Sequence, residues 1–168
     1  MSEHLRIPLE ALSLRQFMDS QSSAYNREHF DSLVASQTES SQQAGSIFSM
    51  LMVKLPGLGV YYDTLPQPVL NRLMHDVVGI LKAGLRGNDV VGRWDDLTFA
   101  LLLPDTPENA AMTIKGRLTN ALTPPMPLAS LDESILLKPQ IGTSAFETDL
   151  TADEISLKAL RSMDNKFD

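Results

Sequence analysis

Apolar positions fall into two periods along this chain. Leu70, Leu73, Met74, Val77, Val78, Leu81 and Leu85 recur at helical spacing and predict a long amphipathic helix behind the start signal Leu65-Pro66-Gln67-Pro68. Ile47 to Val53 is apolar almost throughout and reads as a buried strand, closed by the breaker Pro56-Gly57-Leu58-Gly59. Val90 and Val91 lead into Arg93-Trp94, Asp95-Asp96 supply turn chemistry, and Leu97 to Leu103 run apolar into Pro104-Asp105-Thr106. That order predicts a hairpin.

Weaker stripes fill the remainder. Leu9, Leu12, Leu14 and Phe17 predict a lead-in helix over 8–19, and Phe30, Leu33 and Val34 a helix from Asn26 to about Ala35. Ser36 to Gln43 is rich in Ser and Gln and reads as an exposed helix end and loop. Thr106 is expected to cap, and Pro107 to open, a helix whose buried face is Ala111, Ile114, Leu118 and Leu122; Pro124-Pro125-Met126-Pro127 stops it. Strand-like segments lie within Ser134 to Phe146, and a last amphipathic helix runs from Ala152 to about Met163. The predicted class is α+β, an antiparallel central sheet flanked by helices.

Composition narrows the function. A length of 168 residues suits one domain with a sizeable core. The net charge of −7 argues against a general nucleic-acid binder, so an anionic ligand needs a local cluster of arginines. There is no cysteine, which removes disulfides and thiolate metal sites and fits a reducing cytoplasm. No apolar run approaches a membrane span. His4, His29 and His75 lack the spacing of a metal site, and Met50, Met52, Met74 and Met112 read as core filler.

Arg93, Trp94, Phe99 and Pro104-Asp105-Thr106 frame the hairpin in a way that resembles the GGDEF family, the diguanylate cyclase domains. There, an Arg and an aromatic precede Gly-Gly-Asp/Glu-Glu-Phe, and Pro-Asp-Thr often closes the following strand. An ungapped register carries the resemblance over roughly Asp19 to Lys166. Asp19, Asn26 and Arg27 match the family's lead-in motif, and Gln140-Ile141-Gly142 sits where the family has Ser-Ile-Gly. The resemblance implies a nucleotidyl-cyclase palm, with 1–18 as a helical lead-in and 19–168 as the domain. It also implies an ion pair between Asp19 and Arg93, and packing for Trp94. The family's closing Gly-x-Asn falls on Met163-Asp164-Asn165, close to the end at Asp168, which hints at a shortened chain.

Inside that frame the signature positions read Asp95-Asp96-Leu97-Thr98. In the same register the family's metal-binding aspartate is Lys54, and its guanine-recognising Asn and Asp are Tyr62 and Asn71. Joining two nucleoside triphosphates requires carboxylate-held divalent metal. The expectation is therefore a degenerate domain that is not an enzyme and holds no metal, with Lys54 pairing with Asp95 or Asp96. The plainer reading of Asp95-Asp96 is a polar hairpin turn.

Arg86-x-x-Asp89 stands at the spacing of the family's inhibitory product site, and Arg117 falls on an arginine that completes that site. A guanidinium can donate to guanine O6 and N7, and a carboxylate can accept from N1–H and the exocyclic amine. The resemblance thus implies a cyclic di-GMP receptor acting through Arg86, Asp89 and Arg117, with no other cofactor. No output module is visible, so a protein partner or a homodimer is expected to carry the response. The alternative is a protein–protein interaction domain that binds no nucleotide; GTP binding without turnover is a third reading.

Overall fold

The computed structural model describes residues 16–128 and 131–164. Most of the lead-in helix expected over 8–19 lies outside them. Helix α1 spans Arg27–Ala44, opened by the Asn26 side chain accepting from the His29 amide and closed by Gly45 at φ 76°. Strand β1 (Phe48–Lys54) is buried up to its last residue. A 3-10 turn at Pro56–Leu58 and the one-turn α2 (Gly59–Tyr62) follow, and then α3 (Gln67–Ala83).

Strands β2 (Val90–Asp95) and β3 (Thr98–Pro104) form the hairpin, and α4 covers Glu108–Leu122. The short pair β4 (Met126–Pro127) and β5 (Ser134–Ile135) makes a separate two-stranded sheet. Strand β6 (Gln140–Ala145) and helix α5 (Ala152–Asp164) complete the chain.

The main sheet has four strands in the order β2-β3-β1-β6, with every pairing antiparallel. Side-chain alternation divides the core between its faces. Leu51, Val53, Phe99, Leu101 and Leu103 pack with Leu73, Val77 and Leu81 of α3 and Ile114 and Leu118 of α4. Phe48, Met50, Met52, Ala100 and Leu102 pack with Phe30 and Val34 of α1 and Ile155 and Ala159 of α5. The expected α+β class, an antiparallel sheet flanked by helices, is what the chain adopts.

One glycine makes the second face possible. A Cβ on Gly142 of β6 would lie 1.9 Å from the Ala159 carbonyl oxygen, so α5 rests directly on this backbone.

Two boundaries differ from the sequence reading. The Ser/Gln-rich stretch 36–43 is helical, part of α1, because Thr38 and Ser41 are buried and their hydroxyls find partners: Thr38 donates to the Val34 carbonyl at 2.7 Å, and Ser41 lies 3.2 Å from the Ser46 hydroxyl. Thr106 does not cap α4. Pro107 occupies the cap position with no side-chain bond, and the Thr106 hydroxyl turns back to the Pro104 carbonyl at 2.9 Å.

Candidate functional site

Two regions gather the chemistry-bearing residues: the loop between α3 and β2, and the tip of the β2–β3 hairpin. The loop begins where α3 stops at Ala83, and Arg86 to Asp89 form a turn closed by a bond from the Asp89 amide to the Arg86 carbonyl at 3.1 Å. The turn brings the Asp89 carboxylate under Arg86. Oδ2 accepts from the Arg86 amide at 2.8 Å, and Oδ1 from Nη2 at 3.2 Å. The Asp89 side chain is completely covered, while 53% of the Arg86 side chain remains exposed. The two residues of the Arg86-x-x-Asp89 spacing, read as ligand contacts, are here paired with each other.

Arg86 does more than close its own turn. Nη2 also donates to the Pro104 carbonyl at 3.0 Å and to the Thr106 hydroxyl. These two residues flank Asp105, which sits in the left-handed region at φ 54°, a conformation that Asp adopts more readily than most side chains. The Thr106 carbonyl accepts in turn from buried Ser49 of β1 at 2.7 Å. Arg86 is thereby tied to the end of β3 and to the central strand.

A cavity of about 460 Å³ opens beside this pair, within the size range of small-ligand sites. Met18, Tyr25, Leu85, Val90 and Val91 give it apolar surface, Lys82 and Arg86 give it charge, and Asp89 adjoins its wall. Arg117 is not among its lining residues; its Nη1 donates to the Gly84 carbonyl at 3.3 Å, where it offsets the negative end of α3. The structure brings Arg86 and Asp89 together and sets Arg117 against the same loop from α4.

At the hairpin tip, Arg93 organises the turn. Its side chain is nearly buried, pairing with Asp19 at 2.9 Å and donating to the Asp95 carbonyl at 2.8 Å and the Asp96 carbonyl at 2.9 Å. The expected Asp19–Arg93 link is present. Asp95 accepts from the Leu97 amide at 3.0 Å, the local side-chain bond that makes Asp a turn residue. Trp94 packs under Arg27, whose guanidinium carbon lies 3.3 Å from the ring centroid.

Tyr62 and Asn71 line a polar groove together with Asp19, Gln21, Gln67 and the hairpin tip. The Tyr62 hydroxyl lies 3.0 Å from Gln21 Oε1 and 3.2 Å from Asp96 Oδ1, so its one proton serves both acceptors in turn. Gln67 donates to Asn71 at 2.8 Å.

Lys54, Asp95, Asp96 and Leu97 line a neighbouring cavity, but Lys54 makes no ion pair within 4.0 Å of either carboxylate. The expected pairing of Lys54 is thus corrected: Asp95 is spent on its own turn and Asp96 faces Tyr62. Thr98 pairs with Lys54 across β1 and β3, and its side chain is buried. An ammonium and an isobutyl group among these donors do not fit the oxygen shell of magnesium. Among the described residues, no group of three or more His, Cys, Asp or Glu is placed to hold a metal ion, and no helix is long and apolar enough to cross a membrane.

The start of α5 carries a reciprocal cap. Thr151 and Glu154 cap α5 reciprocally: the Glu154 amide donates to the Thr151 hydroxyl at 3.2 Å, and the Thr151 amide to the Glu154 carboxylate at 2.9 Å. The backbone and hydroxyl bonds from Thr151 hold the Glu154 carboxyl below its usual range. The spacing Thr-x-x-Glu ahead of an apolar run was the available signal.

Comparison with known proteins supplies the frame. The family described as "Diguanylate cyclase, GGDEF domain" matches residues 16–165. Probable diguanylate cyclase DgcC of Escherichia coli K12 is 25% identical over 122 residues, covering 73% of this chain and 32% of that protein. The chain thus spans about a third of the length of the curated relatives it matches.

Among solved structures, the coiled coil and GGDEF domain of DgcB from Caulobacter crescentus, in complex with c-di-GMP, aligns with a TM-score of 0.84 at 14% identity, over 98% of this chain and 87% of that one. Diguanylate cyclase SiaD from Pseudomonas aeruginosa, in complex with its activator SiaC, aligns with a TM-score of 0.78 at 19% identity, over 93% of this chain and 60% of that one. These likenesses establish the fold.

The expectation that the chain is not an enzyme is overturned by this similarity. The curated relatives are probable diguanylate cyclases and the matching family is that of the cyclase domain, so the comparisons give no support for loss of activity. With the family matched from residue 16 to residue 165 and its palm architecture present, the chain belongs to the GGDEF family.

Proposed function

We propose that this GGDEF-family signalling domain binds cyclic di-GMP at the loop between α3 and β2, through Arg86 and Asp89, with Arg117 supporting the same loop. The observation that carries the reading is the Arg86–Asp89 pair on the wall of a cavity with an apolar floor. A planar purine suits the floor formed by Leu85, Val90 and Val91, and a guanidinium suits its O6 and N7 or a phosphate.

Binding has a defined cost. The Asp89 side chain is fully covered and its Oδ1 is held by the Arg86 guanidinium, so that oxygen is freed for a base edge when the guanidinium turns outward and leaves Pro104 and Thr106. The ligand must supply replacement bonds of equal quality. The reading is put at this loop because the Arg86–Asp89 pair adjoins a cavity there. A protein partner or a second copy of the chain carries the response, and the DgcB and SiaD complexes are the precedents for ligand and protein partner respectively.

The test is a melting curve with and without cyclic di-GMP. Saturating ligand raises the melting temperature, because it binds the folded state alone. A second reading, docking of a protein with no nucleotide, draws on exposed Val60 and Leu136, which line one groove with Pro56 and Tyr61. It predicts an unchanged melting temperature.

A further inference from the structure

The cavity beside Arg86 is lined by a second basic side chain that the proposed binding mode does not use. Lys82 lies in the last turn of α3, four residues before Arg86, and lines the same cavity. Its Nζ donates to the Ser23 carbonyl at 3.2 Å. An ammonium carries three donors, and among the described residues no carboxylate lies within 4.0 Å of this one.

The arginines at the two sites are occupied differently. Arg27 pairs with Asp31, Arg93 with Asp19 and Arg86 with Asp89, while Arg117 is turned to the Gly84 carbonyl. Lys82 alone among these five brings to a cavity wall a charge that meets no carboxylate or helix-end carbonyl among the described residues. It is well exposed on a chain of net charge −7, where an anion meets few such positions.

We propose that Lys82 is a phosphate-contacting residue of this cavity, holding a nucleotide phosphate while the base lies against Leu85, Val90 and Val91 beside Arg86. The inference rests on the cyclic di-GMP reading and adds to it a residue on α3. The bond to Ser23 pins the side chain's direction without consuming its charge, and so lowers the ordering cost of capture. A lysine in the last turn also favours the helix end electrostatically, but that contribution changes stability and leaves affinity alone.

The experiment is a calorimetric titration of cyclic di-GMP into the wild-type chain, Lys82→Met, Lys82→Arg and Arg86→Ala, at low and high salt, with melting temperatures recorded for each. Lys82→Met is expected to weaken binding by about 3- to 10-fold at low salt, with the gap narrowing as salt rises, while Lys82→Arg stays within about 2-fold of wild type. If Arg86→Ala weakens binding and Lys82→Met does not, the role of Lys82 is refuted and the proposed function stands. If the wild-type chain takes up no ligand, both fall together. A lower melting temperature for Lys82→Met with unchanged affinity assigns the residue to the helix end and also overturns the inference.

Discussion

Arg93 on β2 and Asp19 in the segment before α1 are joined at 2.9 Å across 74 residues of sequence, with the guanidinium almost entirely buried. The same guanidinium holds the Asp95 and Asp96 carbonyls, so a single side chain locks the hairpin turn to the lead-in segment. The backbone supports it, with the Tyr25 amide donating to the Val91 carbonyl at 3.0 Å and the Arg93 amide to the Tyr25 carbonyl at 2.8 Å.

Removing Arg93 therefore takes the cation from the Asp19 carboxylate, which keeps the Ser22 hydroxyl, and takes a donor from two carbonyls at once. Arg93→Met is expected to lower unfolding free energy by about 3 kcal/mol, the scale for breaking a buried pair from one side. Asp19→Asn keeps a hydrogen-bond acceptor and should cost less. Urea midpoints for the two variants check the order.

Gly142 makes a separate prediction. With α5 lying on its backbone, Gly142→Ala forces β6 and α5 apart, and about 2 kcal/mol or more of stability is expected to be lost. A thermal melt measures the loss, and retention of the wild-type melting temperature would show that α5 shifts freely.

These contacts mark how far the sequence can be read. The long strand, the helix ahead of Arg86, the hairpin and the last helix were legible, because their apolar periods are strong and turn residues bound them. The extent of α1 was not, since a helix that buries Thr38 and Ser41 through hydroxyl bonds carries no apolar stripe there. Gly45, the left-handed residue that ends it, was the visible stop. The spacing Arg86-x-x-Asp89 put two opposite charges one turn apart, and the ion pair between them is what the fold makes of it. That Arg86 also grips Pro104 and Thr106 was not legible, because that contact depends on β3 and the loop after α3 meeting in space. Nor could the register separate Lys54 from Asp95 and Asp96, since strand pairing fixes Lys54 opposite Thr98 and says nothing of where its amine points.

The start of α5 should respond to acid. The Glu154 carboxyl is held below its ordinary range by Thr151, so the folded state favours its ionised form. The stabilisation is fully present above the unfolded value near 4.5, and it is lost as pH falls through the lower folded value. Glu154→Gln should flatten the stability curve in that window. Thr151→Ala, which removes the cap itself, should cost about 1 kcal/mol at neutral pH.

Arg117 separates support from contact. Arg117→Ala is expected to cost about 0.5 kcal/mol of stability through the lost interaction with the end of α3. Its effect on cyclic di-GMP affinity should be smaller than that of Arg86→Ala. Parallel melting and binding curves test both, and an equal loss of affinity would place Arg117 in direct contact with the ligand.

The proposed binding of cyclic di-GMP rests on the Arg86–Asp89 loop. It is tested most directly by calorimetric titration of cyclic di-GMP into the wild-type chain and into Arg86→Ala. Saturable binding weakened about 5- to 150-fold by the substitution is the predicted result, on the scale of a lost bidentate contact. Equal binding by both proteins, or no heat with the wild-type chain, would contradict it.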